Sequence, residues 1–555
     1  MKLAGRTTFL GLLVLAALGL APQLAAAGSD DAAKPKTEAA ANEADAANSA
    51  SPATPVADPQ AASTGQQPTS AVKPEIPITY GFDERTRFEG YNNADFNPAK
   101  SDRLNQFRSR VRPFLDINFN KYLEGYARLG WEGIKKYNDA SFPSATVNEQ
   151  DSPFIAGELW FDNAYLKLKR FPGAENLSLQ AGRFEIFKGD GFLFSDPSSL
   201  DGSREGYDNA FDLAYRVKNS NVEIIGIDNP KYDEFFPLWN KYPVSDAYNP
   251  SNGGTVKNFV AAEAQAGKQL SEWDQTAIGV YYTSRDLRNT DLDAYAFFNK
   301  SYGDIRKQSY YQYLPDRHYT FFGGRGVQRL SQVPGLSVTG EFAYETGTEE
   351  SMKAGVPNFD LRAWGGYGYA KQKLHVKTNP YVTAGFWALS GQNPKSTTVG
   401  NFDPLFQKST NLTLTGEAPS WSEFYIFSEG YEEGAYYWTN LKMGQVEAGF
   451  TPVKQLTFVG GYAHLDAMEP FAVNPYHAVG SVAPATASAG VFGNGLGRGQ
   501  LIKTRMIYRI TPSVQGYVNL EKFLPGDFYV QQHSAYWFRT EISYRFNRFA
   551  GLPKL

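Results

Sequence analysis

The sequence predicts an all-β protein: a transmembrane antiparallel β-barrel of about 16–18 strands behind a disordered N-terminal periplasmic segment. Three observations carry that expectation. From residue 78 onward, polar and apolar residues alternate with a period of two, the mark of strands with one wet and one dry face. Phe, Tyr and Trp make up 15% of the 555 residues although apolar residues reach only 42%. After the N-terminus the chain has no apolar run of about 20 residues, so helices are not expected to cross a membrane. The formal net charge of −4 excludes a polycation built for nucleic acid. With no cysteine, disulfides, thiolate metal sites, cysteine nucleophiles and a lipidated N-terminal cysteine are excluded together.

Taken in order, residues 1–27 read as a secretory signal peptide. Lys2 and Arg6 precede an apolar stretch from Phe9 to Ala21, and Ala25-Ala26-Ala27 supplies small residues for cleavage. Residues 28–76 are rich in Ala, Pro, Ser and Thr, and no aromatic residue occurs between Phe9 and Tyr80. Such a segment cannot bury enough apolar surface to offset chain entropy, so it is expected to be a disordered spacer.

The barrel is expected over 77–549, with a tail at 550–555. Phe107, Ser109, Val111, Pro113, Leu115, Ile117 and Phe119 alternate with Arg108, Arg110, Arg112, Phe114, Asp116, Asn118 and Asn120. The pattern repeats with Leu123, Ala127, Leu129 and Trp131 against Glu124, Tyr126, Arg128 and Glu132. Val514, Gly516, Val518 and Leu520 alternate with Gln515, Tyr517, Asn519 and Glu521. In the last strand, Tyr536, Phe538, Thr540, Ile542, Tyr544 and Phe546 oppose Trp537, Arg539, Glu541, Ser543 and Arg545. Turn-forming stretches such as Asp228-Asn229-Pro230 and 249–254 separate the strands, and the Ala/Gly-rich stretch 466–499 reads as a long surface loop. A closed barrel satisfies every backbone group in lipid, where an open sheet cannot. The ending Ser543-Tyr544-Arg545-Phe546 resembles the C-terminal signal read by barrel-assembly machinery.

The polar faces hold arginine. Arg108, Arg110 and Arg112 share one face, as do Lys503, Arg505 and Arg509; Arg539 and Arg545 add to them. Arg85 and Arg87 sit with Asp83 and Glu89 on a polar face near the start. Because first and last strands pair when a barrel closes, these groups are expected on one wall. Guanidinium groups bind carboxylates bidentately and stay charged, so such a wall can pass anions from site to site. Barrel interiors are polar in general, however, and Glu124, Glu341, Glu345, Glu521 and Glu541 are available to neutralise these arginines as simple braces.

Several short segments resemble the alginate export family of outer-membrane barrels. They are Leu179-Gln180-Ala181-Gly182-Arg183-Phe184-Glu185 followed by Gly189-Asp190-Gly191; Arg204 with Tyr207-Asp208 and Phe211-Asp212-Leu213; Ser390-Gly391 with Asn401-Phe402-Asp403-Pro404-Leu405-Phe406; and Phe523 to Phe528. Phe184 stands where that family has Gln, and nine residues follow Phe546. The resemblance implies an 18-stranded monomeric barrel exporting an anionic, alginate-like polysaccharide through an electropositive constriction, beside a periplasmic scaffold of a secretion complex. It carries Arg183, Asp190, Arg204, Asp208 and Arg325 over as lumen lining.

No catalytic, metal-binding or cofactor role is expected. His318, His375, His464, His477 and His533 show no metal-ligand spacing, and no nucleophile elbow or phosphate-binding Gly-rich loop occurs in its required context. Asp190, Asp196, Asp201 and Asp208 lack a calcium-loop spacing and read as a solvated loop. The function expected is therefore transport across the outer membrane of a Gram-negative bacterium, with lipid as surroundings and no nucleic acid as partner. Export of an acidic polymer is the first reading; an anion-preferring diffusion or uptake porin for small solutes is the alternative.

Overall fold

A computed structural model of the chain describes residues 75–94, 96–98, 104–137, 155–194, 208–230, 235–236, 238–240, 274–302, 316–351, 357–402, 439–471 and 492–553. The signal peptide and the spacer up to residue 74 lie outside these residues, as do Arg204, Asp196, Asp201 and His477, whereas residues 75 and 76, expected as the end of the spacer, already belong to a strand.

Antiparallel strands follow one another along the chain: β1 (Glu75–Asn92), β2 (Leu104–Asn118), β3 (Leu123–Tyr137), β4 (Ile155–Leu168), β5 (Leu177–Phe184), β6 (Asp208–Val217), β7 (Ser220–Asn229), β8 (Leu238–Asn240), β9 (Asp274–Ser284) and β10 (Thr290–Tyr302). The remainder are β11 (Arg317–Arg329), β12 (Leu336–Glu349), β13 (Phe359–Lys373), β14 (Tyr381–Leu389), β15 (Leu441–Val453), β16 (Leu456–Asp466), β17 (Gly497–Thr511), β18 (Val514–Pro525) and β19 (Ala535–Pro553). Each pairs with its neighbours in sequence except β8, which adds three residues beside the upper half of β4 while β7 pairs directly with β9. β1 and β19 pair over their length, from Glu75 opposite Pro553 to Asn92 opposite Tyr536, and this seam closes an 18-stranded ring. The count falls at the upper end of the expected range. The last strand extends to Pro553, into the stretch expected as a tail.

The two faces separate as the alternation requires. Val222, Ile224, Ile278, Val280, Val382, Val446, Ile502, Leu520 and Ile542 point outward and are exposed, whereas their strand neighbours point into the bore and are buried. Outward aromatic residues gather near both ends of the strands: Tyr80, Tyr215, Tyr282, Phe450 and Tyr508 toward one end, Phe298, Trp364, Phe386, Tyr462 and Tyr536 toward the other. That arrangement is an apolar band between two aromatic belts, the exterior of a barrel seated in lipid. Connections on the side of β1's first residue span two to eight residues, and those on the opposite side nine to 51. Short turns face the periplasm and long loops the cell surface, so Glu75 and Pro553, the outer ends of β1 and β19, lie on the periplasmic side.

At the end of β5, Gly182 adopts φ +132°, and a Cβ there would stand 2.3 Å from the Ala164 carbonyl oxygen. Glycine is the residue that accepts both conditions. Gly182→Val is expected to cost roughly 2 kcal/mol of barrel stability. The measurement is the temperature at which the folded barrel unfolds on semi-native gel electrophoresis, which should fall; an unchanged temperature would remove Gly182 from this role.

Candidate functional site

The ring brings the predicted basic rows to one wall. In the seam, Arg85 stands directly opposite Arg110, and Arg87 opposite Arg108, across β1 and β2; Glu89 stands opposite Arg539 and Asp83 opposite Arg545 across β1 and β19. Like charges facing each other across strands destabilise a sheet, so carboxylates are interleaved among them. Asp83 accepts from Arg112 at 2.8 Å and from Arg110 at 3.3 Å. Glu132 on β3 accepts from Arg108 at 2.8 Å, Glu89 binds Arg87 and lies 3.3 Å from Arg539, and Glu541 lies 4.0 Å from Arg85. Neutralisation is partial. The bore-facing positions of 83–89, 108–116 and 539–545 hold seven arginines and four carboxylates, to which Glu132 on β3 and Asp162 on β4, 3.5 Å from Arg112, add two. Further along the same wall, Lys503 is buried opposite Glu521, Arg505 donates to Asn519 at 3.0 Å, and Arg509 stands opposite Gln515.

Half-way round the ring acidic and basic groups are matched. Asp291 and Asp293 on β10 and Glu341, Glu345 and Glu349 on β12 face the bore, and Arg317, Arg325 and Arg329 on β11, Lys371 on β13 and Arg285 after β9 lie among them. Arg317 lies 3.5 Å from Glu349, Arg329 2.6 Å from Asp291 and Arg285 2.8 Å from Asp293. The lumen therefore has one side with arginine in excess and one side where charges are matched.

Between the two runs the segment 185–194, which leaves the wall after β5. At its start Glu185 binds Arg128 of β3, and Lys188 reaches Glu223 of β7 at 2.6 Å. Gly189 (φ +59°) and Gly191 (φ +81°) form the turn that presents Asp190, and a Cβ on Gly189 would meet Arg325 Cδ at 2.9 Å. Asp190 Oδ1 accepts from Arg325 Nη2 at 2.7 Å. Asp190 Oδ2 accepts from the Tyr369 hydroxyl at 3.0 Å and lies 2.9 Å from that of Tyr367, which is itself 2.7 Å from Glu341. Phe192 then stacks on Phe402 (ring centroids 5.5 Å, planes at 14°) and meets Tyr367 edge-on, while Phe194 meets Phe297 of β10. Ion pairs and rings thus pin the segment across the bore, from β3 and β7 to the β10–β13 side.

These contacts correct two expectations. Asp190 and Asp208 are not part of a solvated loop: both are buried, the first in this latch and the second accepting from Asn229 at 2.8 Å. Asp196 and Asp201 lie outside the described residues. Arg183 is fully buried on the face of β5 opposite Phe184, whose ring meets Tyr165 inside the barrel. Its guanidinium donates to Asn209 and to the Phe161 carbonyl, each at 3.0 Å, beneath the Phe236 ring at 4.3 Å. Arg183 thus braces the wall beside β8 and is apart from the basic rows, whereas Arg325 lies half-way round the ring from them, within 3.4 Å of Asp293. Tyr367, Tyr369, Lys188 and Phe192 were not singled out from the sequence as site residues. The one local signal for them was Gly189-Asp190-Gly191 followed by Phe192-Leu193-Phe194, a tight turn leading into an apolar run. Among the described residues no group of acidic and histidine side chains could hold a metal ion.

A closed antiparallel ring with a lipid-facing exterior and a charged interior decides the class. The chain is an outer-membrane β-barrel of a Gram-negative bacterium. No family model matches it, and no curated protein does. Among solved structures it is similar to three outer-membrane proteins of Pseudomonas aeruginosa. OprD is 10% identical with a TM-score of 0.48, covering 85% of this chain and 94% of that one. OccK1 (OpdK) is 10% identical with a TM-score of 0.48, covering 85% and 99%. OccK5 (OpdH) is 11% identical with a TM-score of 0.45, covering 85% and 98%. The resemblance to the alginate export family is not upheld, because no family model matches and the similar structures are of this other kind. Its short motifs mark local geometry, a positive-φ glycine at Gly182 and a Gly-Asp turn at 189–190, rather than a substrate.

Asp190→Ala removes the acceptor shared by Arg325 and Tyr369 and should free the segment from the β11–β13 side. Single-channel recording in planar bilayers is expected to show larger and noisier conductance than the parent barrel. Conductance unchanged in size and noise would mean that the latch does not set the bore.

Proposed function

We propose that the barrel is a diffusion channel for small solutes with a preference for anions, most simply small carboxylates. The partial neutralisation of the arginines on β19, β1 and β2 is the observation that carries this reading. Seven guanidiniums stand against four carboxylates on these strands, and against six once Glu132 of β3 and Asp162 of β4 are added, which supports a net positive side of the bore. Inside a bore walled by protein, such an excess is screened less than on an open surface. A carboxylate can pair bidentately with one arginine and pass to the next, since Arg85, Arg87, Arg108 and Arg110 form two adjacent cross-strand pairs. The crossing segment 185–194 supports a size limit, because a solute must pass beside Asp190 and Phe192 rather than through an open cylinder. Asp83, Glu89, Glu132 and Glu541 then act in two ways. They hold the guanidinium planes in place, and they compete weakly enough for a mobile anion to exchange.

The test is charge reversal on β2. Arg108→Glu together with Arg110→Glu should shift the zero-current potential in a salt gradient toward the cation direction. The assembled barrel should keep its folded electrophoretic mobility. A zero-current potential equal to that of the parent barrel would end the proposed role of this row.

A further inference from the structure

The outer surface carries one feature that a lipid cannot satisfy. Glu84 is the tenth of eighteen residues in β1 and alternates with Asp83 and Arg85, whose side chains point into the bore. It stands opposite Tyr544 on β19 and Val111 on β2, so it lies mid-strand on the lipid-facing side. Aromatic clusters bracket it along the strand. Toward the periplasmic turns Phe82 meets Tyr544 at 5.7 Å and Phe546 at 5.6 Å; toward the surface loops Phe88 meets Phe538 at 5.7 Å and Tyr137 at 6.3 Å. Other outward charges, such as Lys300, Arg362, Lys442 and Asp466, sit within a few residues of a loop end, where headgroups and water reach them. Around Glu84 the hydroxyls cluster instead. Thr86 donates to its carboxylate at 2.5 Å, and the hydroxyls of Thr86 and Ser109 are 3.3 Å apart. Thr540 and Tyr544 share the same outer face.

A carboxylate facing hydrocarbon costs several kcal/mol unless its lone pairs are used, and Thr86 uses one. Acyl chains offer no donor, and headgroups lie beyond the aromatic clusters. We infer that the outer face of β1 and β2 around Glu84, Thr86 and Ser109 is an interface with a second copy of this chain. The chemistry selects that occupant. The patch carries its own complement, an acceptor in Glu84 and donors in Ser109 and its neighbours. A two-fold related copy would therefore set the hydroxyls of each barrel against the carboxylate of the other, an isologous contact. No described basic side chain stands outward at this level, so a contact between unlike faces would leave the charge unmatched. The monomer implied by the family resemblance thus gives way to a dimer, a proposal that does not depend on what the bore transports.

The chain has no cysteine, so single reporters can be placed cleanly. Val111→Cys, outward on β2 directly opposite Glu84, and, as control, the exposed outward Val382→Cys on β14 would be treated in outer-membrane vesicles with a short bis-maleimide and run under denaturing conditions. The expected result is a homodimer band for Val111→Cys well above that for Val382→Cys. In the Val111→Cys background, which leaves Ser109 in place, Glu84→Leu should lower the dimer yield about tenfold, the factor for one hydrogen-bonded charge. Glu84→Gln, which still accepts, should keep most of it. Equal dimer yield for the two reporters, no effect of Glu84→Leu, or cross-linking of Val111→Cys only to a different polypeptide would each overturn the proposal.

Discussion

The pairing of β1 with β19 is the constraint on which the rest depends. Each strand would otherwise present a row of unpaired N–H and C=O groups to hydrocarbon, at several kcal/mol for every group left unmet. Pairing from Glu75–Pro553 through Asn92–Tyr536 removes both edges at once. Because side chains alternate strictly along a strand, the same register dictates what the bore contains. It sets Glu89 beside Arg539 and Asp83 beside Arg545, and through β2 it sets Arg85 beside Arg110 and Arg87 beside Arg108. A slip of one residue would turn these charges toward lipid and the aliphatic residues toward water. The charged seam and the apolar exterior are therefore one requirement seen from two sides.

Ion pairs to two parts of the wall then shape the crossing segment. Its first residues use β3, through Glu185 and Arg128, and its turn uses β11, through Asp190 and Arg325. Neither contact alone would hold a loop against its chain entropy. Together with the rings of Phe192 and Phe194 they fix both ends of a short span. Arg325 is surrounded by Asp190 and Asp293, so its charge is spent on structure, whereas the β19–β1–β2 side retains an excess. The two sides thus differ in charge, one matched around the obstruction and the other with arginine in excess.

The parts governed by local alternation were legible in the sequence. The Arg108, Arg110 and Arg112 row, its separation from Ser109, Val111 and Pro113, and the two faces of the last strand follow from period two alone. The meeting of first and last strands followed from closure. What escaped were contacts set by the fold as a whole. Asp190 and Arg325 are 135 residues apart, and no local pattern says that a Gly-Asp-Gly turn will enter the bore rather than face solvent. Arg183 was misplaced because a short motif gives a residue type without its face, and the parity of β5 sets that face. The export resemblance failed for a related reason, since a positive-φ glycine and a Gly-Asp turn are local backbone features that carry no information about a substrate.

A bore with arginine in excess on one wall and a segment crossing it should admit small anions and keep long ones out. The test is the swelling rate of liposomes containing the purified barrel in iso-osmotic solutions of a neutral monosaccharide, the matching uronate and an acidic oligosaccharide. The uronate is expected to enter faster than the neutral sugar, and the oligosaccharide is expected to stay out. Equal entry of uronate and neutral sugar, or ready passage of the oligosaccharide, would contradict it.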